Sequence, residues 1–175
     1  MGAKNLAEII PDLVNAKLKL DFFATLADIK TERNTLFGGV DFRVNPTVPQ
    51  SYFNYSGAKG YKVPAIFTVV DSGELRKERG TNYVHCFVVT RVHALIEEKT
   101  EDLATRLTWR YQDAIDEILD QTSLTSSDSK VRLFLKVKSF EFSPLYSSIP
   151  KESGAPSVFR KEVGMTFDVE TVQSF

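Results

Sequence analysis

The chain has 175 residues, which is enough for one domain or for one domain with an arm. Its 22 basic and 23 acidic residues give a net charge of −1, which argues against a protein that grips nucleic acid through a basic face. A single Cys excludes an internal disulfide and a Cys-rich zinc site, and two His argue against most metal and His-based catalytic schemes.

Other features of the composition indicate a soluble protein with a real core. Hydrophobic residues make up 42% of the chain, and the 13 Phe predict a core built partly from sheet and aromatic packing. The sequence has no apolar run of 18 residues and no signal-peptide pattern at its start. We therefore expect a protein made in a reducing cytoplasm, with no membrane partner.

The N-terminal part has the apolar spacing of helices. One amphipathic segment covers 5–15, and 12–30 is predicted to be mostly helix, with a break near Lys19-Leu20-Asp21. Pro11 costs about 3 kcal/mol in a helix interior, so the helix is expected to start or kink there. The apolar residues of the second segment are Leu18, Phe22, Phe23, Leu26 and Ile29.

Region 31–61 is predicted to be a long connector rich in Gly, Pro and aromatic residues. Gly and Pro at this density punctuate loops and short strands, whereas the aromatics argue against disorder. It is either a packed connector or a functional loop. In the functional reading, the 37–61 stretch lines an apolar pocket for a small molecule or peptide, through Phe37, Phe42, Tyr52, Phe53 and Tyr55.

Two strands and a charged tip are predicted next. A strand at 63–70 and a second at 83–95 form an antiparallel hairpin. The charged stretch 71–82 reads as a long, mobile tip because it offers little apolar surface to bury. Such a loop can reach a partner, and the candidate contact residues in it are Leu75, Arg76 and Arg79.

The segment 101–121 has the clearest helical pattern in the chain. Its apolar residues recur at steps of three and four, which predicts one buried stripe. Thr100 is placed to cap the first amides, and Asp102 and Arg106 are spaced for an ion pair. The stripe consists of Leu103, Leu107, Tyr111, Ala114, Ile115, Ile118 and Leu119.

Trp109, the chain's single Trp, falls opposite that stripe. In one interpretation it lies on a polar surface or is covered by a loop of its own chain. In the other it contacts another subunit, where Trp is a favoured anchor. The interface hypothesis names Trp109 with Arg106 and Asp113 as flanking polar residues.

Strand patterns return in the last third of the chain. Residues 131–137 alternate as a half-buried strand, and Phe140 and Phe142 fall on the other parity, which predicts a bulge near Ser139. A long loop at 143–157 follows, with Tyr146 and Ile149 as candidate partner contacts. A closing strand at 163–169 leaves a short tail.

This order of elements predicts a single α+β domain over 1–175, with N-terminal helix and a mainly antiparallel sheet. The long helix is expected to cross one face of the sheet, with its stripe on the inward positions of 84–96 and 131–137.

No reactive constellation stands out. His85 and Cys86 are neighbours in a strand, so they point to opposite faces, and His93 lies roughly 27 Å from His85 along the strand. Cys86 is expected to be a small buried hydrophobe. Acidic residues on 101–121 and in 71–82 read as solvated faces. We therefore expect no enzyme, no cofactor and no metal.

The pattern resembles the tail-terminator (tail-completion) proteins of long-tailed bacteriophages. The resemblance rests on Val63-Pro64-Ala65-Ile66 opening a strand, Arg110-Tyr111-x-x-Ala114-Ile115 in the long helix, and Phe140-Glu141-Phe142-Ser143-Pro144 ending a strand. It covers about two thirds of the chain. The 31–61 connector is longer than that family leads one to expect, so another neck protein, such as a head-completion protein, is the alternative.

The resemblance implies a structural role in the virion. Such proteins form a ring, usually of six copies, at the head-proximal end of the tail tube. The ring stops tube polymerisation and joins the tail to the head connector. The implied partners are other copies of the chain, the tail tube protein and the head connector or neck protein. The implied location is the virion tail or neck, assembled in the host cytoplasm.

Overall fold

The computed structural model describes residues 6–36, 47–54, 62–77, 83–144, 146–148 and 158–174. Within them the chain forms two helices and one seven-stranded sheet. In chain order the elements are α1 (Leu6–Leu36), β1 (Ser51–Phe53), β2 (Ala65–Lys77), β3 (Tyr83–Glu98), α2 (Glu101–Leu119), β4 (Ser123–Thr125), β5 (Val131–Phe142), β6 (Tyr146–Ser148) and β7 (Val158–Ser174).

The sheet has the strand order β1-β2-β3-β7-β5-β4, and β6 pairs with the start of β7. The β1–β2 pair is parallel, and the other pairs are antiparallel. The predicted α+β class with a mainly antiparallel sheet is confirmed.

Both helices pack on one face of the sheet, here called the helix face. The even-numbered residues of β3 from Val84 to Ile96 are buried, because the two-residue period of a strand turns them to the helices. The odd-numbered residues of β7 from Val163 to Gln173 are buried in the same way. The opposite side, here called the outer face, carries most of the charged residues of the strands.

Helix α2 confirms the prediction for 101–121 within two residues. The Thr100 hydroxyl accepts a hydrogen bond from the N–H of Leu103 at 3.3 Å, so the cap forms as expected. Leu107, Tyr111 and Ile115 are fully buried against the sheet and α1. The Tyr111 ring lies 4.9 Å from that of Phe22 in α1, and its hydroxyl donates to the Thr47 carbonyl.

The predicted break in the N-terminal helix is wrong, since α1 is one helix of 31 residues. Pro11 sits five residues after the helix start, so its missing N–H removes only one hydrogen bond, close to the N-terminal end of the helix. Pro11 is buried beside Ile10 and Val14, which offsets that loss. The helix also runs to Leu36, so the connector predicted from Thr31 begins later.

Of the rest of that connector, the structure describes 47–54. Ser51–Phe53 forms β1 and adds to β2 in parallel, an element that the sequence analysis did not predict. The Phe53 ring stacks on Phe67 at 5.4 Å, in a small second core on the outer face with Ala65 and Leu95. Residues 37–46 and 55–61 lie outside the described part.

The expectation of a loop at 71–82 is wrong for 71–77. This stretch continues β2 and pairs with β3, with one bulge between Val70 and Ser72. Its charges fit a strand because Asp71 and Glu74 point to the outer face, where Asp71 meets Arg91 at 3.1 Å. Residues 78–82 lie outside the described part.

The later strands are longer than predicted. The bulge near Ser139 is confirmed, since the β5–β7 register shifts between Val137 and Ser139. The closing strand spans Val158–Ser174 rather than 163–169. It pairs with β3 over this whole length, and its inward-facing residues are buried beyond 169 as well. The short strand β6 lies in the stretch 143–157 that was predicted to be a loop, and β4 was not predicted.

Candidate assembly surfaces

Trp109 lies on an exposed side of α2, as predicted, with 46% of its surface accessible. One turn earlier, the Thr105 hydroxyl accepts from the Lys161 ammonium of β7 at 3.3 Å. At the end of the helix, the Asp120 carboxylate accepts from the backbone N–H of Val137 in β5 at 2.9 Å. The Trp109 side of α2 is therefore the side nearest to β5.

Phe140 and Phe142 lie on that same side of the sheet. The bulge in β5 reverses the parity of the strand, so these two residues point to the helix face. They are 54% and 36% exposed, and their rings meet at 5.6 Å. We call Trp109, Phe140 and Phe142 the aromatic surface, since three large rings are accessible where α2 leaves the end of β5 uncovered.

The aromatic surface adjoins an uncovered strand edge. β4 pairs with β5 only over Arg132–Phe134. Just beyond, the N–H of Leu135 donates to the Thr122 carbonyl at 3.0 Å, and that of Val137 is held by Asp120. From Lys138 to Phe142, no described strand pairs with the edge of β5 that faces away from β7. Such an edge is able to accept another strand.

The two polar residues predicted to flank Trp109 make contacts inside the subunit. Arg106 pairs with Asp102 at 2.9 Å, as the spacing predicted. Asp113 accepts from Arg33 at 2.8 Å and lies 3.8 Å from Arg110, so it joins α1 to α2. Their role in a subunit interface stays a prediction.

A second exposed apolar surface lies on α1. Leu20 and Phe23 are 76% and 72% exposed, one helical turn apart, with Ala24 and Ala27 exposed beside them. We call these four residues the α1 stripe. The sequence analysis named Phe23 among the apolar residues of this segment, and the helical period sets it away from Leu18, Phe22 and Leu26, which are buried.

The predicted partner-contact residues do not form one site. Leu75 and Arg76 lie in β2, with their backbones opposite Cys86 and His85. Tyr146 lies in β6 opposite Arg160, at the other end of the sheet. Arg79 and Ile149 lie outside the described residues.

The aromatic region proposed as a ligand pocket is described only in part. Tyr52 and Phe53 are both packed in the fold, with the Lys19 ammonium 5.3 Å from the Tyr52 ring centre. Burial raises the pKa of Tyr52 to about 12. Phe37, Phe42 and Tyr55 lie outside the described residues.

The groups that could carry chemistry are separated. Cys86 is buried, as expected, and burial raises the pKa of its thiol, which disfavours the reactive thiolate. Burial and the nearby Arg91 lower the pKa of His93 on the outer face. Burial and the neighbouring Asp120 and Asp113 raise the pKa of Asp116.

The described residues contain no group of three or more His, Cys, Asp or Glu placed to hold a metal ion. Neither α1 nor α2, the helices of the described part, is long and apolar enough to cross a membrane.

The chain has matches among solved structures. No family model and no curated protein matches the sequence. Among solved structures, the chain is similar to one in the virion of a native gene transfer agent (GTA) particle, with 13% sequence identity and a TM-score of 0.38. The match covers 96% of this chain and 99% of the other.

Proposed function

We propose that this protein is a structural virion protein, a tail terminator that forms a ring of six copies at the head-proximal end of a tail tube. The sequence resemblance supports the proposal. Its helix motif lies in α2, where Tyr111, Ala114 and Ile115 are fully buried, and its strand start, Ala65 and Ile66, opens β2. The helix-motif residues Tyr111, Ala114 and Ile115 thus belong to the core that holds α2 in place.

The observation that carries the proposal is the aromatic surface beside the uncovered β5 edge. Monomeric proteins rarely leave several large apolar side chains together in water, and such groups mark contact sites. Trp109 with Phe140 and Phe142 gives an anchor of the kind that dominates association energies. The α1 stripe is a second, different surface, and a ring subunit needs two unlike surfaces for its head-to-tail contacts.

The proposed partners are other copies of this chain, the tail tube protein and the head connector or neck protein. The proposed location is the tail or neck of a virion assembled in the host cytoplasm. We propose no catalytic activity and no cofactor, which is supported by the burial of Cys86 and by the separation of His85 from His93 along β3.

The test of ring formation is the mass of the purified protein in solution over a range of concentrations, followed by electron microscopy of the largest species. The proposal expects rings of six copies. A protein that stays monomeric at high concentration, both alone and with tail tubes added, contradicts it.

Tail length separates a terminator from another neck or head-completion protein. Without a terminator, tube growth continues, so virions assembled without this protein should carry overlong tails. Tails of normal length that fail to join heads would instead indicate a head-completion role.

A further inference from the structure

We draw no further inference here: the strongest candidate, the α1 stripe of Leu20, Phe23, Ala24 and Ala27 on the exposed side of the long helix, is an unpartnered apolar face, and nothing in the described part of the structure shows what covers it.

Discussion

The guanidinium of Arg33, in the last turn of α1, donates to the Asp113 carboxylate in the middle of α2 at 2.8 Å. This contact joins residues 80 positions apart and fixes the end of the long helix on its neighbour. Both side chains are about one-third exposed, so solvent screens the pair. A double-mutant cycle with Arg33→Ala and Asp113→Ala should give a coupling of about 0.5–1 kcal/mol, measured by urea denaturation. A coupling near zero would show that packing alone holds the end of α1.

Removal of core volume under α2 should cost much more. Leu107 is buried against the sheet, so Leu107→Ala should lower the free energy of unfolding by about 2–5 kcal/mol. The control is Arg106→Ala, next to it in sequence, which removes a partly exposed side chain that pairs with Asp102 within the helix. Equal denaturation midpoints for the two variants would contradict the assignment of Leu107 to the buried side of α2.

Asn15 connects α1 to two strands. Its side-chain oxygen accepts from the Thr68 hydroxyl at 2.7 Å, and its amide donates to the Phe53 carbonyl at 3.2 Å. Because Asn15→Ala leaves the buried Thr68 hydroxyl without this acceptor, the variant should lose about 1–3 kcal/mol of stability. Thr31→Ala, an exposed position on the same helix, should change stability little. A stable Asn15→Ala variant would mean that the network is dispensable.

The stability should depend on pH through His93. Burial and Arg91 lower its pKa in the folded state below the usual value, although Glu162 and Glu141 oppose the shift. The unfolded chain then binds more protons, so stability rises with pH in this window. We expect the stability to fall as the pH drops below about 6.5, which is the pKa of His93 in the unfolded chain. The loss should continue until the pH has passed the lowered pKa of the folded state. His93→Gln should flatten this slope, and an unchanged slope in this variant would assign the effect to another group.

The parts of the fold that local periodicity controls could be predicted from the sequence. The stripe of α2 and the parity change at Ser139 depend only on the order of apolar residues, and both are present. The length of β2 could not be predicted, because Asp71 and Glu74 look like loop residues until β3 provides a partner strand and the outer face stays open.

In the candidate surfaces, too, the features set by local periodicity could be predicted and those set by tertiary packing could not. The exposure of Trp109 follows from its position on the helix, so it could be predicted from the sequence. Its grouping with Phe140 and Phe142 depends on where α2 crosses the sheet, which no local pattern gives. The exposure of Leu20 was missed because the expected break near that residue hid the continuous period of α1.

The mass of the Trp109→Ala protein, compared with the wild type, tests most directly the claim that this chain is a ring subunit. Trp109 is exposed in the single copy, so the variant should fold normally by circular dichroism. It should lose about 2 kcal/mol or more of association free energy, as removal of an interface anchor does, and Leu107→Val provides a control that perturbs the core instead. The account predicts wild-type rings of six copies and smaller species for the folded variant. A folded variant that forms the same rings as the wild type would contradict it.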